Sequence, residues 1–234
     1  MTIGGRMHRA LFVTATGTDI GKTFVTALIL KQLKKKGFSA AYYKAALSGA
    51  QPPSTGIPDD DAYAARVAGL RPDEALVSYR YRTAVSPHLA ALREGNPPDE
   101  GRIREDFLRL CRRFDYTAVE GSGGLLCPLR RDRSGVFTLE DMILGLGLTS
   151  VLTADAGLGT LNAVKLTADR MADKGLPLVG VILNRYREGD FLHEDNREMI
   201  ADWIGVPVLA TVPEGGVSLN ETVPVEEWFR EICL

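Results

Sequence analysis

Cysteine is scarce in this 234-residue chain. The three present, Cys111, Cys127 and Cys233, form no CxxC pair and are odd in number. A disulfide framework and a cysteine zinc site are both excluded on that pattern, and a reducing cytoplasm is the expectation. Histidine is equally sparse: His8, His88 and His193 stand alone, which gives no support to a histidine metal centre or a Ser–His nucleophile. Charge of one sign is lacking too. With 28 basic and 30 acidic residues the formal net charge is -2, so no global field draws the chain onto nucleic acid. Long apolar runs are missing. The most apolar stretch, residues 142–154, is broken by Gly, Thr and Ser, and falls short of the roughly 20 residues that span a bilayer. Residues 1–9 contain no apolar core of a signal peptide. No membrane association is expected.

What is present is an alternation. Short apolar runs at residues 10–14, 40–44, 116–120, 150–154, 178–184 and 207–212 read as strands buried on both faces. Helices are predicted between and after them, at residues 22–36, 59–68, 102–114, 139–146, 161–174, 194–203 and 226–232. The first has an apolar stripe of Val25, Leu28, Ile29 and Leu33 and ends in Lys34, Lys35, Lys36 and Gly37. Cations suit a helix C-terminus and glycine stops it, so this lysine run reads as a solvated helix end. Residues 51–58 and 130–135 read as loops. The pattern predicts an α/β fold, a doubly wound, mostly parallel sheet with helices on both faces. One domain over residues 1–234 is expected, with residues 1–8 a flexible extension.

After the first strand comes Thr14-Ala15-Thr16-Gly17-Thr18-Asp19-Ile20-Gly21-Lys22-Thr23, then a helix. Glycine lets backbone amides turn inward, and the helix N-terminus presents a positive dipole end to phosphates. Lys22 can reach the β- and γ-phosphates and Thr23 can ligate Mg²⁺. The loop departs from the strict G-x-x-x-x-G-K-[ST] pattern, because Thr16 stands where glycine is required and Gly17 comes one place later.

Open α/β sheets bind ligands beyond the carboxyl ends of their strands. Those ends carry Lys44 and Ser48; Glu120, Gly121, Ser122 and Gly123; Gly157 to Asn162; Asn184; and Pro213, Glu214 and Gly215. A second lysine beside the phosphates would offset charge on a moving phosphoryl group. Glu120 suits magnesium, which favours oxygen ligands. Among Asp59, Asp60 and Asp61, one would cap a helix and another would bind metal.

In order along the chain, FVTATGTDIGKT (residues 12–23), YKAALSG (43–49), DDA (60–62), SPHLAA (86–91), VEGSGG (119–124), GLGTLN (157–162), LN (183–184) and VPEG (212–215) resemble the dethiobiotin synthetases. That family has a P-loop NTPase-like fold and tolerates the displaced glycine. Two small departures are Ala45, where the family often has proline, and Ser122, where alanine is common.

The resemblance implies an ATP- and Mg²⁺-dependent cyclo-ligase of biotin synthesis. 7,8-Diaminopelargonate would take up CO₂, supplied as bicarbonate, at its 7-amino group. The carbamate would attack the γ-phosphate to give a carbamic–phosphoric anhydride. The 8-amino group would then close the ring and expel phosphate. By resemblance, Asp19, Ile20, Gly21, Lys22, Thr23 and Phe24 hold the triphosphate, and Thr23, Asp61 and Glu120 surround Mg²⁺. Lys22, Lys44, Thr18 and Ser48 form the catalytic set. Gly121, Ser122 and Gly123 complete the wall, with Gly123 also facing the diamine. Asn184, Arg185, Pro213, Glu214 and Gly215 lie on the base side of the nucleotide. Gly159, Thr160, Leu161 and Asn162, supplied by the other subunit of a homodimer, would receive the substrate carboxylate. The alternatives are a cobyrinate-amidase-like synthetase and a partitioning or septum-positioning ATPase. The first usually adds a glutaminase domain, for which the chain has no room. The second carries an extra lysine early in the loop, where Thr14, Ala15 and Thr16 stand.

Overall fold

The computed structural model describes residues 8–232 apart from residues 53, 55, 57 and 134. The expected flexible extension falls outside these residues except for His8. That residue is anchored, its Nδ1 3.1 Å from the Phe114 carbonyl and its own carbonyl accepting from Ile232 N at 2.8 Å. The first half of the chain contains β1 (Arg9–Ala15), α1 (Lys22–Lys35), β2 (Ala40–Ser48), α2 (Asp60–Ala68), β3 (Ala75–Tyr81), α3 (Pro87–Glu94), α4 (Glu100–Cys111) and β4 (Tyr116–Glu120). A hairpin of β5 (Pro128–Asp132) and β6 (Gly135–Thr138) leads into α5 (Leu139–Leu146) and β7 (Ser150–Asp155). Then come α6 (Thr160–Asp173), β8 (Leu178–Tyr186), α7 (Phe191–Met199), β9 (Val208–Pro213), β10 (Asn220–Glu221) and β11 (Arg230–Glu231).

The main sheet has the order β10-β9-β8-β7-β1-β4-β2-β3, with β11 alongside β1. From β9 to β3 every pairing is parallel; β10 and β11 are antiparallel additions. Strand alternation assigns the two faces. Leu11, Val13, Ala40 and Tyr42 pack with Val25, Leu28, Ile29 and Leu33 of α1. Ala10, Phe12, Ala41 and Tyr43 pack instead with Ile103, Phe107 and Leu110 of α4 and Met142 and Ile143 of α5. The predicted doubly wound sheet is the observed one.

Four readings need correction. β3 and α3 arise in a stretch where the sequence suggested no element. Of the stretch 130–135, taken as a loop, residues 130–132 lie in β5 and Gly135 opens β6, while residue 134 lies outside the described residues. α4 begins at Glu100, because Asp99 caps it by accepting from Arg102 N at 2.8 Å. The expected last helix over residues 226–232 is instead a 3₁₀ turn, Val225–Trp228, followed by β11. Trp228 is 2% exposed and donates from Nε1 to the Val223 carbonyl at 3.1 Å. The backbone is extended from Phe229 onward, and β1 supplies the partner of β11 at Arg9 and Ala10.

The lysine run is paired rather than merely solvated. Lys34 reaches Glu74 at 2.6 Å and the Gly69 carbonyl at 2.9 Å, while Lys36 reaches Glu226 at 2.6 Å and Glu221 at 3.2 Å. These contacts fasten the C-terminal end of α1 to two distant segments.

Candidate active site

β1, β2 and β4 are adjacent and parallel, so their carboxyl ends open on one side of the sheet. A cavity of about 460 Å³ lies there, within the range of small-ligand sites. It is lined by Thr18, Asp19, Gly21, Lys22, Thr23, Lys44, Ser48, Glu120, Ser122 and Gly123, all expected, and by Ala46 and Asp60.

The loop has the shape that phosphate requires. Gly21 stands at the N-cap of α1 with φ 95°, a left-handed conformation that glycine adopts without steric cost. Any Cβ there would sit 2.3 Å from Asn184 Nδ2. Asn184 Nδ2 donates to the Ile20 carbonyl at 2.8 Å, and Lys22 Nζ folds back on the Gly17 carbonyl at 3.0 Å. Burial holds the Lys22 amine below its ordinary pKa, and the charge of Lys44 adds to that, against an opposing pull from Glu120.

Glu120 is the hub. Its Oε1 accepts from Thr23 Oγ1 at 2.8 Å and from Lys44 Nζ at 2.6 Å; its Oε2 accepts from Tyr42 OH at 2.8 Å. Lys44 also meets Asp60 Oδ2 at 2.5 Å. For Lys44 burial acts against the charged form, but Glu120 and Asp60 outweigh it, so its pKa is raised and it is an ammonium. Burial, and then the charges of Glu120, Asp60 and Asp61, push the Tyr42 hydroxyl well above its usual range. Glu120 thus holds the hydroxyl of a strand tyrosine, a relationship hidden in the sequence because Tyr42 reads as one more apolar strand residue.

The three consecutive aspartates divide their work. Asp59 is at the N-cap of α2 but makes no side-chain cap; it accepts from Gln51 N at 2.8 Å and Arg80 Nη1 at 2.9 Å. Asp60 faces the cavity. Asp61 pairs with Arg80 through Oδ2, leaving Oδ1 buried and without a hydrogen-bond partner. No group of three His, Cys, Asp or Glu side chains among the described residues could hold a metal by itself. Oxygen donors of the kind magnesium favours are present even so: the Thr23 hydroxyl and Glu120 line the cavity, and Asp61, which does not line it, keeps a buried carboxylate oxygen without a partner.

Other expected residues stand apart from the cavity. The Phe24 side chain, in the first turn of α1, is partly buried against the core. Gly121 is small for packing, since a Cβ would lie 2.9 Å from Phe12 Cζ. Ser122, which does line the cavity, donates from Oγ to the Ala46 carbonyl at 2.6 Å. Pro213, Glu214 and Gly215 follow the end of β9, where Glu214 N donates to the Tyr186 carbonyl at 3.0 Å. Gly159, with φ 90°, caps α6, whose first turn contains Thr160, Leu161 and Asn162. Arg185 spans the two regions, meeting Asp155 at 2.5 Å and the Asp19 carbonyl at 2.7 Å.

A family model described as an AAA domain matches residues 9–222. The ATP-dependent dethiobiotin synthetase BioD of Brachyspira hyodysenteriae is 47% identical over 92% of this chain and 96% of its own length. That of Clostridium botulinum (strain Loch Maree) is 40% identical over 97% of this chain and 100% of its own. The chain belongs to the ATP-dependent dethiobiotin synthetase family. Solved structures show the breadth of the fold beyond that family. A ParA family ATPase from Chlorobium tepidum has a TM-score of 0.55 at 12% identity, covering 88% of this chain and 85% of that one. FtsY from Elizabethkingia anophelis, in complex with GDP, has a TM-score of 0.57 at 13% identity, covering 97% of this chain but 64% of that one. Both are P-loop NTPase-like neighbours in fold alone. In this chain Lys44 lies midway along β2, level with Glu120 at the end of β4, and no lysine stands among Thr14, Ala15 and Thr16.

Proposed function

We propose that this chain converts 7,8-diaminopelargonate, CO₂ and ATP to dethiobiotin, ADP and phosphate, with Mg²⁺ as cofactor. The observation that carries this reading is Lys44. It is a second buried ammonium, 5% exposed, on the wall of the phosphate-loop cavity and opposite Lys22. Joining a carbamate to a γ-phosphate brings two anions together, and here the second cation comes from β2 rather than from an extra lysine early in the loop. Two fixed cations offset that repulsion at little reorganisation cost.

Loop amides and the α1 N-terminus would hold the triphosphate, and Lys22 would leave the Gly17 carbonyl for its oxygens. Lys44 would bind the carbamate, with Thr18, Ser48 and the Gly123 turn orienting the diamine. Thr23, Asp61 and Glu120 would hold Mg²⁺, which when bound neutralises charge on the phosphates. Positioning and charge carry phosphoryl transfer without a strong base, which fits a cavity with no histidine.

Asn184, Pro213, Glu214 and Gly215 would meet the base, whereas the Arg185 guanidinium is engaged with Asp155 and the Asp19 carbonyl. The turn at Gly159, Thr160, Leu161 and Asn162 lies outside the cavity, and a second copy in a homodimer would bring it to the substrate carboxylate. Leu158, 92% exposed beside that turn, is an apolar side chain that such a partner would cover. No helix among the described residues is long and apolar enough to cross a membrane, in keeping with a cytoplasmic enzyme.

The test is product formation from diaminopelargonate, bicarbonate and Mg-ATP, with one phosphate released per dethiobiotin and CTP and GTP run in parallel. Binding of ATP without product would retain the nucleotide site and remove the assigned reaction.

A further inference from the structure

Among the described residues, two that are not glycine adopt left-handed backbone conformations: Asp19, with φ 60°, and Arg185, with φ 57°. They are 166 positions apart and hydrogen-bonded to each other, Arg185 Nη2 donating to the Asp19 carbonyl at 2.7 Å. Such conformations persist in non-glycine residues where the surroundings over-determine them, and they gather at functional sites.

The surroundings here are specific. Asn184 and Arg185, consecutive at the end of β8, hold the carbonyls of Ile20 and Asp19, consecutive in the loop. A carbonyl oxygen turned into a phosphate cradle would repel its ligand, and both of these oxygens are occupied by donors from β8. The second arm of the guanidinium, Nη1, meets Asp155 Oδ2 at 2.5 Å. Asp155 uses its other oxygen to accept from Gly157 N at 2.9 Å, at the start of the turn into α6. With side chains 46% and 39% exposed, the Arg185–Asp155 pair contributes little as an ion pair. Its effect is geometric: a planar fork is oriented by one carboxylate so that its other arm meets one carbonyl.

We infer that Arg185, oriented by Asp155, is a positioning residue that pre-forms the phosphate loop for ATP and ties it to the β7–α6 turn. This rests on the ATP reading of the loop. It gives Arg185 a task distinct from touching the nucleotide base.

The experiment measures binding of a non-hydrolysable ATP analogue by calorimetry, with melting curves taken with and without it. Three variants are used: Arg185→Gly, Asp155→Asn and the double substitution. Glycine keeps the left-handed backbone without strain, so Arg185→Gly removes only the guanidinium. Each single change should weaken the analogue about tenfold, and the double should be no weaker than the weaker single, because both remove one device. Melting without nucleotide should change little, while the increase on adding the analogue shrinks. Loss of affinity in Arg185→Gly with Asp155→Asn unaffected would make Arg185 a direct nucleotide contact and overturn the inference. So would unchanged affinity in both, two losses that multiply, or a lower melting temperature with the analogue-induced increase intact. Failure of the unsubstituted protein to bind the analogue would instead remove the ATP reading itself.

Discussion

Lys44 Nζ and Glu120 Oε1 stand 2.6 Å apart with side chains 6% and 1% exposed, paired across neighbouring strands, Lys44 midway along β2 and Glu120 at the end of β4. A buried pair of this kind is costly to break from one side, since the remaining charge is left uncompensated. Its first consequence concerns Lys44. Lys44→Ala should lower kcat by roughly a hundred- to a thousandfold, the loss typical of one fixed donor to developing charge. ATP affinity should stay within about threefold, because Lys22 and the loop amides remain. Steady-state rates alongside calorimetry separate the two. An affinity loss equal to the rate loss would make Lys44 a ground-state binding group.

A second consequence concerns the aspartates. Asp61 keeps one buried oxygen without a partner, whereas Asp60 is engaged with Lys44. If Asp61 helps to hold Mg²⁺, Asp61→Asn should raise the Mg²⁺ concentration needed for half-maximal nucleotide binding by about tenfold or more. Asp60→Asn should raise it less and act mainly on rate, by loosening Lys44. Metal titrations of ATP binding for the two variants decide the matter, and the reverse ranking would move the metal to Asp60.

These residues also mark how far the sequence could be read. Lys22 was legible from the loop motif, and Lys44 and Glu120 because neighbouring parallel strands bring them to one side of the sheet, although the strand read as ending at Lys44 runs on to Ser48. The division of labour between Asp60 and Asp61 was not, since it depends on Arg80, which lies on β3 where no strand was read. Tyr42 was invisible as a polar group because its ring satisfies an apolar strand pattern and its hydroxyl acts only when Glu120 is brought across from β4. The last segment was misread because Trp228 and Phe229 fit a helical face as well as an extended one. Tertiary pairing with β1 decided between them.

Glu74 offers a test in pH. It receives Lys34 Nζ at 2.6 Å and Arg71 N at 2.7 Å, with Arg71 Nη2 at 3.0 Å. Burial acts to raise its pKa, but the hydrogen bonds and the two cations prevail and hold it below the ordinary carboxylate value. A carboxyl depressed in the folded state stabilises above its unfolded pKa, and that stability fades as pH falls through the folded one. Glu74→Gln should therefore cost about 2 kcal/mol at pH 7. Denaturant melts at descending pH should show the gap closing only below the usual carboxylate range. A gap that stays constant into acid would deny the charge any part.

The last prediction concerns the end of the chain. Trp228 is 2% exposed within the cluster formed by Leu11, Leu28 and Leu33, and β11 beside it pairs with Arg9 and Ala10. Those two residues open β1, whereas the phosphate loop follows its other end, so the tryptophan supports the sheet from the side opposite the cavity. Trp228→Ala should destabilise the fold by about 3–5 kcal/mol, as large-to-small changes in a packed core do. At a temperature where the variant is still folded, ATP affinity should match that of the unsubstituted protein. Chemical denaturation with calorimetry on the same preparation separates these effects. A loss of affinity in the folded variant would mean that β11 transmits its pairing along β1 to the loop.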